Sequence, residues 1–225
     1  MKPPRRESLF ALMVPELKPD SRRIEAFSDA VFAIVVTLMM LEVRVPDGLA
    51  FGHDPAAWRS FATLLVTYAL SFLITMILWA SHHYLIFTIP RPDRSTIWLN
   101  TLILFCVTLI PISAQFFGFH PTSPRAAAAY GFVLMACTAS FSLLRAHAMR
   151  ICPNPVHRAI HWRVLRKAWI AIAIYAAAML LAFVDIRLAW ACFLVTPVMF
   201  FLPVVQPSAA EIGESDGAIA KPGPA

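Results

Sequence analysis

A handful of polar side chains stand inside or at the edges of long apolar runs in this 225-residue chain, and these are the residues that could do chemistry. Asp29 opens the run AVFAIVVTLMML. His82 and His83 stand side by side near the end of a second run, three and four residues after Trp79. Asn100 lies near the start of a third, two residues after Trp98. A carboxylate with imidazoles could relay protons or ligate a metal, and indole, imidazole and amide N–H groups are donors that a carboxylate can accept from. Adjacent histidines on a helix point about 100° apart, so His82 and His83 cannot chelate one ion as a pair, and no third ligand stands out. His157 and His161 have helical i, i+4 spacing but are again only two ligands, short of a zinc site. Cys106, Cys137, Cys152 and Cys192 are dispersed, form no CxxC, and three of them sit within apolar runs as small core residues. No Ser/His/Asp set, metal-ligand cluster or Gly-rich phosphate loop gathers on one side of the chain. The expectation is therefore no enzyme, no resident metal and no cofactor.

The elements that must carry these residues follow from composition. Apolar residues make up 59% and charged residues 14%, against roughly half and a quarter in soluble proteins; mean hydropathy is +0.68. That excludes a soluble enzyme fold, a disordered protein and a secreted disulfide scaffold. The fold class expected is an all-α membrane protein. A bilayer-crossing helix needs about 20 mostly apolar residues, and six stretches qualify: 25–44, 58–80, 96–117, 126–147, 164–184 and 187–205. The second can continue helically to Ile89, where Pro90 ends it. Pro111 and Pro197 fall inside the third and sixth, which membrane helices tolerate.

Residues 1–22 form a polar amino-terminal segment, 23–205 the membrane domain, and 206–225 read as a disordered tail. The first 29 residues lack the short apolar core of a signal peptide, so the amino terminus is expected to stay on the synthesis side. Fourteen Lys/Arg fall in the amino-terminal segment, the loop after span two and the connection after span four. The opposite side has Arg44, Arg59, Arg125 and Arg187. The positive-inside rule then makes both termini cytoplasmic, in what is expected to be a bacterial inner membrane. The net charge of +6 belongs to these membrane flanks and implies no nucleic-acid partner. Residues 148–167 read as an inside loop with snorkelling charges or as a basic amphipathic surface helix.

Span one is unusual. Only Ala30 to Leu41, twelve residues, are free of charge, and a carboxylate deep in a bilayer costs about 3 kcal/mol or more. This helix should be surrounded by protein or line water. At about 100° per residue, Phe27, Ala30, Ile34, Thr37, Leu38 and Leu41 share one stripe, with Thr37 its only hydroxyl. Asp29 and Val36 lie opposite.

The sequence Arg23-x₃-Phe27-Ser28-Asp29 at the head of span one is followed by AVFAIVVTLMMLEVRVP. Further on come Trp79-x₂-His82-His83 in span two and Trp98-Leu99-Asn100 in span three. Together they resemble the bacterial members of the transmembrane protein 175 family of potassium channels, over residues 20–150; spans five and six match only in hydrophobicity and order. The resemblance implies six helices per subunit and a homotetramer whose pore is lined by the first helix, with no re-entrant filter loop. It implies a hydrophobic constriction and selectivity position at Ile34, Thr37 and Leu41. It implies a structural polar network of Arg23, Phe27, Ser28 and Asp29 with Trp79, His83 and Asn100. On an ideal helix Arg23 returns to the pore stripe and not to the Asp29 face, which leaves two alternatives: it sits at the cytoplasmic mouth, or the helix starts later.

These readings converge on passive potassium permeation across a lipid bilayer. The rivals are a proton pathway through Asp29, His82 and His83, a secondary transporter, a membrane enzyme and a non-conducting helical protein. A transporter should show internal repeats or broken helix pairs, and neither is evident.

Overall fold

A computed structural model describes residues 21–41, 43, 45, 55–89, 92–151 and 155–201. Among the described residues the structure is wholly helical. The helices are α1 (Ser21–Leu41), α2 (Pro55–Phe87), α3 (Arg94–Thr108), α4 (Ile110–Phe119), α5 (Pro124–Ile151), α6 (Pro155–Leu181) and α7 (Ile186–Phe201). The expectations for residues 1–20 and for the tail after 201 lie outside the described residues.

Among the described residues five stretches are long and apolar enough to cross a membrane: Ser21–Leu41, Pro55–Phe87, Arg94–Phe119, Pro124–Ile151 and Val156–Leu181. A shorter apolar helix, Ile186–Phe200, takes the place of the sixth. At 33 residues and about 1.5 Å per residue, α2 is roughly 50 Å long and overshoots the ~30 Å hydrocarbon layer. The third span is two helices in near continuity. Pro111 sits in the first turn of α4, where its missing N–H breaks the ladder of α3, and Leu109 closes α3 with a short-range bond to the Cys106 carbonyl (3.1 Å). Pro197, by contrast, lies within α7 without ending it.

The described parts of the segment 148–167 belong to two long helices and form no separate helix of their own. α5 runs on to Ile151 and α6 begins at Pro155, a residue suited to a first helical turn because its fixed φ is helical and its absent N–H is not missed there. The reason α6 starts before its apolar run is burial: His161 is fully covered.

Two apolar clusters hold the bundle. In one, Phe32, Val35 and Met39 of α1 meet Leu85 and Ile86 of α2, Ile103 and Val107 of α3, and Phe141 and Leu144 of α5. In the other, Phe117 of α4, Tyr130 of α5, Tyr175 of α6 and Phe193 of α7 gather around buried alanines. Small residues dominate the α5–α6–α7 contacts: Ala126, Ala127, Ala171, Ala178 and Ala189 are all buried, the composition that lets membrane helices approach closely. A Cβ on Gly131 would come within 3.0 Å of Met179 Cγ. α1 rests on α2, α3 and α4.

α3 is started by Asp93, whose carboxylate accepts from the Thr96 backbone N–H (2.8 Å), the Thr96 hydroxyl (2.7 Å) and His147 Nε2 (3.0 Å). The Thr96 bonds hold its carboxyl down at about 2, from an ordinary 3.8. A carboxylate with a lowered pKa stabilises the fold above its ordinary range and loses that contribution as pH falls through the folded value. Asp93→Ala should therefore cost about 1 kcal/mol at neutral pH. In detergent thermal unfolding, the gap between variant and native protein should close on acidification from pH 3.8 towards 2.

Candidate functional site

The polar residues of α1, α2 and α3 meet at one level of the bundle, in an arrangement that sequence spacing only partly anticipates. Ser28 is fully buried. Its hydroxyl donates to the Ile24 carbonyl (2.7 Å) and accepts from Asn100 Nδ2 (3.1 Å). Asn100 Oδ1 in turn lies 2.7 Å from Nε2 of His82, so the imidazole carries its proton on Nε2. Its Nδ1 is buried without a partner. The His82 ring is wedged between Phe32 and Phe141. Asp29 accepts from the Trp79 indole N–H through Oδ1 (2.9 Å).

The assignment of His83 to the Asn100 network is corrected by this geometry. Asn100 takes His82, and His83 Nδ1 instead meets Glu25 Oε1 at 2.8 Å. One residue along a helix is a turn of about 100°. The register of α2 decides the matter: Thr67, Ser71, Thr75, His82 and Ile86 are all buried, so His82 belongs to the inward stripe and His83 does not. That stripe of small polar and apolar residues was the signal available in the sequence.

A second polar line joins the end of α2 to α5 and α6, and nothing in the residue spacing announces it. His161 Nε2 lies 3.0 Å from Thr88 Oγ1, whose own hydroxyl donates to the Leu85 carbonyl (2.7 Å). The imidazole is thus the donor at Nε2, and its Nδ1 accepts from the guanidinium of Arg145 (3.1 Å). Arg145, counted from sequence among the loop charges, is only 3% exposed. Among the described residues no carboxylate lies within salt-bridge distance of it. His157 and His161 therefore do not act as a pair.

The α1 stripe lies on the helix face that the rest of the described residues leaves uncovered. Ile34 is 58% and Leu41 75% exposed, with Phe27 and Leu38 beside them; Arg23, Ala30 and Thr37 are exposed too. The Thr37 hydroxyl is within hydrogen-bond reach of the Ala33 and Ile34 carbonyls (3.1 and 2.9 Å). Its proton points back to the helix and its lone pairs point away from it. Val36 is half-buried against the first apolar cluster.

Helical throughout its described residues, with five apolar helices long enough to cross a bilayer and buried polar clasps between them, the chain is an integral membrane protein. The family model described as endosomal/lysosomal potassium channel TMEM175 matches residues 23–111. A protein named potassium channel from Chryseobacterium sp. (strain P1-3) is 32% identical over 159 residues, 68% of this chain and 78% of its own length. The chain belongs to the TMEM175 family of ion channels. The human protein named endosomal/lysosomal proton channel TMEM175 is 24% identical over 170 residues, only 33% of its length. Among solved structures, that of a lysosomal potassium-selective channel TMEM175 homolog from Chamaesiphon minutus matches with a TM-score of 0.69 at 27% identity. The match covers 81% of this chain and 96% of that one.

The two histidines of α2 should separate cleanly by mutation. His82→Ala or Asn100→Ala strips a buried partner from the other and should cost roughly 1–3 kcal/mol. His83→Ala, on a side chain 53% exposed, should stay within about 0.5 kcal/mol. Thermal unfolding in detergent reads both; equal damage from the two histidines would mean the pairing is misassigned.

Proposed function

We propose that this protein is a potassium-permeable cation channel, working passively as a homotetramer in a bacterial inner membrane with both termini cytoplasmic. Four copies of α1 would surround the axial pathway. The observation that carries the reading is the α1 stripe: Ile34, Thr37 and Leu41 stand exposed in line on the face that α2, α3 and α4 leave free. Rings of Ile34 and Leu41 narrow the path with apolar walls that gate by dewetting. Four Thr37 hydroxyls, with lone pairs turned away from their helices, offer oxygens to a partly dehydrated potassium ion. Side-chain oxygens coordinate less stringently than a rigid carbonyl filter, so the preference for potassium over sodium is modest. The family membership and the names of the bacterial relatives support potassium as the permeant ion.

A second reading is favoured by the human relative's name: proton conduction. Asp29, His82 and His83 would carry it, but they lie off the uncovered stripe. His82 is buried, with its ring against those of Phe32 and Phe141. Planar-bilayer recording of purified protein separates the readings. A reversal potential that follows the potassium gradient supports the channel proposed here; one that follows pH overturns it in favour of protons.

One α1 helix cannot enclose a pathway, and ring closure must be symmetric, so the detergent-corrected mass should be that of four subunits. Replacing Ile34 with Asn makes the apolar ring wider and wettable. It should increase cation current severalfold, with potassium preference reduced but not inverted. Val36→Asn, on the covered face, should lower folding yield and leave single-channel current unchanged. Unaltered conductance in well-folded Ile34→Asn tetramers would remove α1 from the pore.

A further inference from the structure

We infer that Glu25, Asp29 and His83 form a binding site for a divalent transition-metal ion of the zinc class, spanning α1 and α2 near the head of α1. One donor atom from each of the three lies within 4.8 Å of the others. The placement follows from helix geometry. Glu25 and Asp29 are one turn apart on α1, Trp79 and His83 one turn apart on α2, and i, i+4 residues share a face. The sequence offered His83 no third ligand because both carboxylates come from another helix.

The chemistry of the set is selective. An imidazole with two carboxylates suits zinc, cobalt or nickel; potassium and magnesium prefer oxygen alone. Two carboxylates balance the charge of a divalent ion, and His83 is neutral when it ligates. Zinc bonds of about 2.0–2.2 Å bring donor atoms to roughly 3.4 Å of one another in a tetrahedron. Glu25 and His83 are already at 2.8 Å, so the ion takes the place of the proton between them. Asp29 then has only to close in, through its oxygen not occupied by Trp79. The Trp79 N–H on Asp29 Oδ1 (2.9 Å) is the kind of outer hydrogen bond that orients a ligating carboxylate. Asp29 borders an open cavity of about 300 Å³, otherwise lined by Phe32, Ala33, Val36, Met76 and Trp79, and the His83 side chain, 53% exposed, leaves the ligand set open to an ion and its remaining waters. Three protein ligands leave a coordination position for water, so the ion is exchangeable. Bound there, it would tie α1 to α2; on the proposed channel reading that restrains the pore helix and lowers current.

The test uses the full chain without a histidine tag, stripped with chelator and kept in detergent. It is titrated with Zn²⁺ by calorimetry and with Co²⁺ by visible absorption. The expected result is about one ion per subunit, a cobalt ligand-field band that Zn²⁺ bleaches, and loss of that band in His83→Ala. Zinc affinity in His83→Ala and Glu25→Gln should fall at least about tenfold, with both variants eluting at the native oligomer size. His147→Ala, which removes the contact with Asp93, should bind as the native protein does. Absence of saturable binding, or binding that survives His83→Ala unchanged, overturns the inference and leaves Glu25–His83 as an ion pair only. Binding is read without current. Zinc binding by a protein that passes no potassium sinks the channel reading alone, and a conducting channel that binds no zinc sinks this site alone.

Discussion

Inside a bilayer a polar atom has no water to fall back on, and every donor and acceptor must be satisfied by the protein itself. The inner face of α2 shows how far this constraint reaches. Thr67, Ser71 and Thr75 each return their hydroxyl to the carbonyl one turn back, at 2.9, 2.8 and 2.8 Å. Ser71 has a second lone pair to spare, and Tyr130 of α5 uses it (2.9 Å). The same logic ties Ser28, Asn100 and His82 into one line across three helices. Each member leaves the next with one valence to fill, so the helices are held in rotation as well as in distance. The Nδ1 of His82 is where the accounting stays open.

Apolar burial does not drive helices together in lipid as it does in water, because the acyl chains are as apolar as leucine. Close packing and polar clasps therefore divide the work. Around α5, α6 and α7 the alanines and Gly131 bring helices into tight contact, and aromatic rings fill what remains, with Phe117 against Trp190 at 4.6 Å between centroids. Around α1 the proportions change. Phe32, Val35 and Met39 pack inward, while Ser28, Asp29 and Glu25 make the polar contacts, all towards one side. The opposite side of α1, with the Thr37 hydroxyl in the middle of an apolar face, is left uncovered by the described residues.

Burial of Arg145 follows a different rule. A guanidinium is charged at any accessible pH, and covering it without a carboxylate is costly. Here a neutral imidazole, fixed in its tautomer by Thr88, presents a lone pair to it. Snorkelling, the usual fate of an arginine near a helix end, is not what this one does. The contact joins α5 to the first turns of α6, and it accounts for the helix beginning at Pro155 instead of at the apolar run.

The sequence by itself determined the class of the protein and the two faces of its first helix. Composition excluded a soluble fold, and the spans emerged from runs of apolar residues because helix length and bilayer thickness are matched. The stripe of Ile34, Thr37 and Leu41 could be read from a 3.6-residue period alone, since both the period and the covered face are local properties of α1. Partnerships between helices were not local. His82 and His83 are chemically identical neighbours, and only the rotation of α2 against α3 and α5 sends one to Asn100 and the other to Glu25. Arg145 looked like a loop charge and His161 like half of an i, i+4 pair with His157, because nothing within one turn of either reveals Thr88, 73 residues from His161 along the chain. The break between α3 and α4 was foreshadowed by Pro111, whereas the early start of α6 was not. The tertiary structure decided these points because a hydrogen bond is directional and short. A rotation of one residue, about 100°, changes which atom can make it, and no periodicity within a single helix encodes that angle.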